Sequence, residues 1–218
     1  MSGERALREA IVAAGRTLKS RGLTSGRSGN LSARFDGGFL ITPSGVPYES
    51  LSAPDVVHVA ADGSQAPGQL APSSEWQLHL EIYRARADAQ AIAHAHPRYS
   101  TALACGRREI PAFHYMVAIA GGRSIRCAQY ATYGTRELAL NAVEALRDRR
   151  ACLLANHGSI ALGDSIETAL DLLDEVEVLA TQYCESLRLG QVVILSDPEM
   201  ARILERFKSY GQPGNSKL

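Results

Sequence analysis

The stretch Ile92-Ala93-His94-Ala95-His96 reads as a short apolar strand carrying two histidines two positions apart. A strand alternates its side chains between faces, so positions i and i+2 leave the same side with only a few ångströms between them. Two imidazoles placed this way can grip one metal ion, although an H-x-H pair by itself is as readily a pair of space-filling or surface histidines. Two other stretches shift the balance. Upstream, Ser73-Ser74-Glu75 can supply a carboxylate. Downstream, Asn156-His157-Gly158 places a third imidazole in a turn between two apolar runs. Three histidines and one glutamate compose a four-coordinate zinc site in which the carboxylate is the replaceable ligand.

Around this centre the composition narrows the choices. A chain of 218 residues is long enough for one domain with a well-buried core, and nothing in it demands a second. With 23 Lys+Arg against 23 Asp+Glu the formal net charge is zero, and no basic run marks a nucleic-acid or membrane partner. The amino terminus has no apolar signal region and no later run is long enough to span a membrane, so a cytoplasmic protein acting on small molecules is expected. Cys105, Cys127, Cys152 and Cys184 lack C-x-x-C spacing, and each reads as a small buried hydrophobe rather than a disulfide or metal ligand.

Taken in order, Leu7, Ile11, Ala14 and Leu18 define a helix that stops at Gly22. Two strands, from Asn30 to Phe35 and from Phe39 to Thr42, flank an Asp36-Gly37-Gly38 turn as a hairpin. Pairing of the hairpin would bring the Gly29-Asn30 and Ser44-Gly45 turns side by side, forming a nest of backbone N–H groups suited to an anion; taken singly, each pair is an ordinary turn. A strand from Val56 to Ala60 precedes a helix from Ser74 to Arg86, with Ser73 or Ser74 as N-cap and a helix start able to receive phosphate. His79, at i+4 from Glu75, could share a metal with it but is read as packing or hydrogen bonding, because His94 and His96 form a tighter pair. Later elements are a short helix over 97–105, a run from Ile110 to Tyr133 rich in glycine, alanine and aromatics, a helix from Thr135 to Arg147, and strands over 152–155 and 159–162. A long helix opens on an Asp164-x-x-Glu167 cap, and a last helix from Asp197 runs to about Tyr210, ahead of a flexible tail at 211–218.

A zinc site of this composition can activate water or polarise a carbonyl. The cradles beside it favour the second, with a phosphorylated substrate on the metal and Glu75 released to move a proton. Aldol cleavage fits, since the enediolate it leaves needs an electron sink, supplied in proteins by a lysine Schiff base or a divalent metal. Lys19, Lys208 and Lys217 are the only lysines, all in terminal segments, which disfavours the Schiff base.

Five stretches taken together, Gly29-Asn30-Leu31-Ser32, Ile41-Thr42-Pro43-Ser44-Gly45, Pro72-Ser73-Ser74-Glu75, His94-Ala95-His96 and Asn156-His157-Gly158, resemble in order and spacing the motifs of the class II aldolase/adducin-head family. Residues 110–116 and 130–138 are similar to its L-fuculose-1-phosphate aldolase members. The resemblance covers nearly the whole chain. It implies an α/β fold, a three-layer α/β/α domain around a mixed, mainly antiparallel sheet, assembled as a homotetramer with active sites at subunit interfaces. It further implies zinc on His94, His96 and His157, with Glu75 as resting fourth ligand and then acid/base. Phosphate would lie among Gly29, Asn30, Ser44, Gly45, Ser73 and Ser74, and Tyr115 would reach in from a neighbour to handle the aldehyde oxygen's proton. The implied reaction is reversible cleavage of a ketose 1-phosphate (L-fuculose, 5-deoxyribulose or 5-methylthioribulose 1-phosphate) to dihydroxyacetone phosphate and a short aldehyde. Tyr133 stands where the fuculose-phosphate enzymes carry phenylalanine in the aldehyde wall, and Tyr210 belongs to a C-terminal run resembling an aldolase lid. Glutamate at position 75 favours aldolase over the 4-epimerases, which typically carry aspartate. Dehydratase and decarboxylase relatives can share the zinc ligands, whereas adducin-head interaction modules lose them. A zinc hydrolase would leave the phosphate cradle without use.

Overall fold

The computed structural model describes residues 2–208, so Tyr210 and the tail at 211–218 lie outside the described residues. Its strands are β1 (Asn30–Phe35), β2 (Gly38–Ile41), β3 (Val57–Ala60), β4 (Ala91–Ala95), β5 (Cys127–Ala128), β6 (Ala151–Leu154) and β7 (Gly158–Gly163). They form one sheet in the order β3-β2-β1-β4-β7-β6-β5. Every neighbouring pair is antiparallel except β5 and β6, so the sheet is mixed and mainly antiparallel, as expected.

The helices are α1 (Ser2–Ser20), α2 (Trp76–Ala85), α3 (Arg98–Cys105), α4 (Arg136–Ala145), α5 (Ile166–Arg188) and α6 (Asp197–Phe207), with a 3₁₀ turn over Tyr115–Ala120. Sheet alternation sorts the core into two halves. Ala91, Ala93 and Ala95 of β4, with Leu31 and Ala33 of β1, join the apolar cluster built by α1, α3 and α5. Ile92 of β4 joins Leu78, Ile82 and Ala142 of α2 and α4 on the other side. The result is a three-layer α/β/α arrangement. Three alanines on one face of β4 leave room for α5 to lie close against the middle of the sheet. The odd-numbered residues of β4 are thus given to packing, and the even-numbered His94 emerges on the α2 side, where Glu75 lies 3.1 Å away.

Three expectations are corrected. Helix α2 begins at Trp76, two residues later than the sequence reading; Glu75 takes the N-cap place without a side-chain cap, while Ser73 Oγ accepts a bond from the Glu75 N–H at 3.3 Å. The start is displaced because the Glu75 carboxylate turns inward to the histidines instead of capping or facing solvent. Helix α5 is capped by Ser165, whose hydroxyl accepts from the Thr168 N–H as Thr168 Oγ1 accepts from the Ser165 N–H, not by the Asp164/Glu167 pair. Of the four cysteines, all free, only Cys152 is buried, and Cys105 is exposed at the end of α3. Among the described residues no helix is long and apolar enough to cross a membrane.

Candidate active site

Glu75, His94, His96 and His157 converge, each offering one ligand atom within 4.8 Å of the others. Strand β4 delivers His94 from its buried end, and His96 follows just beyond the strand with the same parity. The tight turn between β6 and β7 delivers His157. Asn156 takes a left-handed conformation there (φ 55°), with its N–H bonded to Ala104 O and its amide to Cys105 O, and Arg107 Nε donates to its Oδ1. Gly158 is required by close approach, since a Cβ there would stand 2.4 Å from Ala95 O and 2.7 Å from the His96 ring.

The chemistry of the donor set fits a cation. His94 Nδ1 donates to Ser159 O at 2.9 Å, which turns the lone pair of Nε2 inward. That nitrogen stands 3.1 Å from His96 Nε2 and 3.1 Å from Glu75 Oε2, while His157 Nε2 stands 3.2 Å from Glu75 Oε1. Ligands on a tetrahedral centre with bonds of about 2.1 Å lie roughly 3.4 Å apart, so these separations suit one ion. Glu75 Oε1 is buried and makes no hydrogen bond. Leaving a buried charged acceptor unmatched costs on the order of 1–3 kcal/mol or more, a cost that an ion at this centre removes.

The electrostatics agree. Burial disfavours ionised Glu75, but His94, His157 and the Asn30 amide outweigh it and hold the carboxyl well below the usual range. Burial, followed by repulsion from His94, lowers His96 to about 3 and His157 to about 4, keeping both neutral as ligands must be. His94 moves the other way, since the Glu75 carboxylate overcomes the effect of its burial.

Beside this centre lies a cavity of about 330 Å³, lined by Gly29, Asn30, Ser44, Gly45, Ser73, Ser74, Glu75, His96 and His157. All six residues expected around a phosphate therefore border one space. Gly29 has φ +83°, and a Cβ would sit 2.8 Å from His94 O, so only glycine lets this loop lie against β4. Asn30 is almost fully buried, its amide bonded to Glu75 and His79. Tyr133 lines the rim and is 68 % exposed. Tyr115 is not brought to this cavity; half-exposed and stacked on His114, it borders a separate hollow with Phe113, Leu195 and Phe207. The sequence reading gave no role to Arg27 or Tyr130, which also line the cavity. Their positions, two residues before Gly29 and three before Tyr133, are the signal the sequence offers, and Arg27 is a cation beside the cradle that is not a lysine.

The fold and this cluster define an α/β domain with a candidate metal site, and its relatives are named aldolases. Residues 9–184 match the Class II Aldolase and Adducin N-terminal domain, and the chain belongs to that family. It is 48 % identical over 212 residues to a 5-methylthioribulose-1-phosphate/5-deoxyribulose-1-phosphate aldolase of Rhodospirillum rubrum, covering 97 % of this chain and 96 % of the relative. It is 49 % identical to an L-fuculose phosphate aldolase of Escherichia coli over 191 residues, 87 % of this chain and 88 % of that one. A solved L-fuculose 1-phosphate aldolase superposes with a TM-score of 0.89 at 43 % identity, covering 93 % of this chain and 96 % of the other.

Proposed function

We propose that the protein is a zinc-dependent aldolase that reversibly cleaves a ketose 1-phosphate to dihydroxyacetone phosphate and a short aldehyde. The observation that carries this reading is the two-ended cavity: a half-buried His₃Glu centre, with a carboxylate oxygen that makes no hydrogen bond, opens directly onto a cradle of serines and glycine-rich turns. Its relatives' names point the same way. His94, His96 and His157 hold the ion with Glu75, and the ion supplies the electron sink that cleavage of a β-hydroxy ketone needs. Ionised Glu75 takes a carbon-bound proton from dihydroxyacetone phosphate in the condensation direction and returns it in cleavage. Among the described residues no lysine is a Schiff-base candidate, for Lys19 pairs with Glu49 and Lys208 with Glu205, and neither borders the cavity. Tyr115 serves the site of a neighbouring copy in a homotetramer, passing the proton of the aldehyde oxygen, and Tyr133 lines the aldehyde substituent.

The substrate is read out by assaying dihydroxyacetone phosphate release from L-fuculose, 5-deoxyribulose and 5-methylthioribulose 1-phosphates. Release from at least one of them is expected, with metal dependence. No release from any, with the metal bound, would move the assignment to the dehydratase, decarboxylase or epimerase chemistries of this family, and failure to bind metal would favour an interaction module.

Phosphate is held in this reading by backbone N–H groups and the hydroxyls of Ser44, Ser73 and Ser74. Ser73→Asp places a like charge against it. Two unit charges at 4 Å repel by about 1 kcal/mol in water and about 4 near a protein surface, so affinity for phosphorylated ligands should fall at least about fivefold. The inhibition constant of inorganic phosphate measures it, and an unchanged constant would place the phosphate elsewhere.

A further inference from the structure

Behind Glu75 a line of buried polar side chains runs from the catalytic pocket into the core between α2 and the sheet. Glu75, His79 and Tyr83 follow one another at i, i+4 and i+8, and Asn30 and Ser32 of β1 leave the same sheet face as His94, the residue paired with Asn30 across the strands. The two rows interlock. Asn30 Nδ2 donates to Glu75 Oε2 at 3.0 Å, and Asn30 Oδ1 accepts from His79 Nε2 at 2.5 Å. His79 Nδ1 is 2.6 Å from Ser32 Oγ, which lies 2.8 Å from Tyr83 OH. His79 is completely buried and Ser32 likewise.

The carboxylate end fixes the direction of every bond. Glu75 can only accept, so the Asn30 amide must present its NH₂ there and its oxygen to His79. The His79 Nε2 must then carry the hydrogen, leaving Nδ1 of the neutral ring to accept from the Ser32 hydroxyl, which in turn accepts from Tyr83. Burial lowers His79 to about 3, in keeping with the neutral ring. Arg34 holds the far end, stacking 4.6 Å over the Tyr83 ring and donating to the Tyr83 and Arg86 carbonyls.

We infer that Tyr83, Ser32, His79 and Asn30 form a one-directional hydrogen-bonded chain of positioning residues that commits Glu75 Oε2 to the protein and so reserves Oε1 as the working oxygen, for the metal and for the proton. Each oxygen faces one ring nitrogen, His94 Nε2 at 3.1 Å from Oε2 and His157 Nε2 at 3.2 Å from Oε1, but the two are already unlike: Oε2 is also bonded to Asn30, and Oε1 is buried with no hydrogen bond. None of the three outer members borders the cavity, so their influence on chemistry passes through Asn30 and Glu75. The inference rests on the reading that Glu75 moves the proton.

The test uses the metal-loaded full chain and follows exchange of the carbon-bound proton of dihydroxyacetone phosphate with deuterated solvent. His79→Phe removes both ring hydrogen bonds, and His79→Gln restores an N–H for Asn30. Partners one shell removed from a metal-site ligand typically contribute about 10- to 100-fold. The expected loss in kcat for His79→Phe is in that range, with KM and phosphate inhibition changed less than about twofold, and with most of the rate returned in His79→Gln. In a Glu75→Gln background His79→Phe should add almost nothing, because the chain has no other route to the reaction. Should His79→Phe fail to fold, Ser32→Ala replaces it in every arm, with a smaller expected loss. Wild-type kcat in the single variants, losses in KM and phosphate inhibition as large as in kcat, no recovery in His79→Gln, or full additivity with Glu75→Gln would each overturn the inference. Near-normal exchange in Glu75→Gln alone would instead overturn the role of Glu75, and that result is read independently of the His79 variants.

Discussion

Glu75→Gln is expected to lower aldol turnover and proton exchange by roughly 10²- to 10⁴-fold, the range for loss of a general acid/base. The substitution keeps the shape of the side chain and an oxygen able to accept from Asn30 Nδ2, so the fold and the start of α2 should persist. What disappears is a carboxylate held ionised in a buried place by His94, His157 and Asn30. An amide offers no site for a mobile proton at neutral pH. Phosphate inhibition should change little, since Ser73, Ser74 and the Gly29 and Gly45 turns remain. The measurement is solvent exchange of the carbon-bound proton alongside the phosphate inhibition constant. Near-normal exchange would show that another base acts.

The second large effect is expected in His94→Ala, which should remove metal and activity together. His94 is wholly buried, with Nδ1 engaged by Ser159 O and Nε2 central to the cluster, so no other side chain can take its place. Outer partners of metal ligands are worth about 10- to 100-fold in affinity; a direct ligand should exceed about 100-fold. Metal content after exhaustive dialysis, read by elemental analysis, should fall from one ion per chain to near none. A full complement retained by this variant would dismiss the assignment of the centre. Thermal unfolding provides a further readout, because a ligand that binds only the folded chain stabilises it, and the difference between metal-loaded and metal-stripped protein should vanish in the variant.

Much of this architecture was legible because its causes are local. The alternation of alanine with Ile92 and His94 in β4 announces a strand buried on both faces, and the H-x-H spacing puts both rings on one side whatever surrounds them. The Asp36-Gly37-Gly38 turn between two apolar runs fixes the β1–β2 hairpin in the same way. The aldolase family was legible from the joint order of five short motifs, each ordinary alone.

Other features depend on contacts between segments distant in the chain, which no local pattern encodes. The register of β1 against β4 sets Asn30 opposite His94 and thereby within reach of Glu75, 45 residues away in sequence. Asn30 read from sequence is a turn residue near an anion, whereas in the fold its amide orients a carboxylate. The start of α2 moved for a related reason: Ser73 and Ser74 both have the propensity to cap a helix, but the inward turn of Glu75 towards His94 and His157 prevails over propensity worth about 1 kcal/mol. Cys105, apolar by type, is exposed because α3 ends there. The sequence by itself determined six of the seven strands, the four side chains that converge as a candidate metal site, and the family; β5, only two residues long and inside the glycine- and alanine-rich run, carried no readable alternation. Tertiary structure alone decided which oxygen of Glu75 is bonded to Asn30 and which makes no hydrogen bond, because that depends on a hydrogen-bonded row whose members come from two elements and meet only when α2 is laid across the sheet.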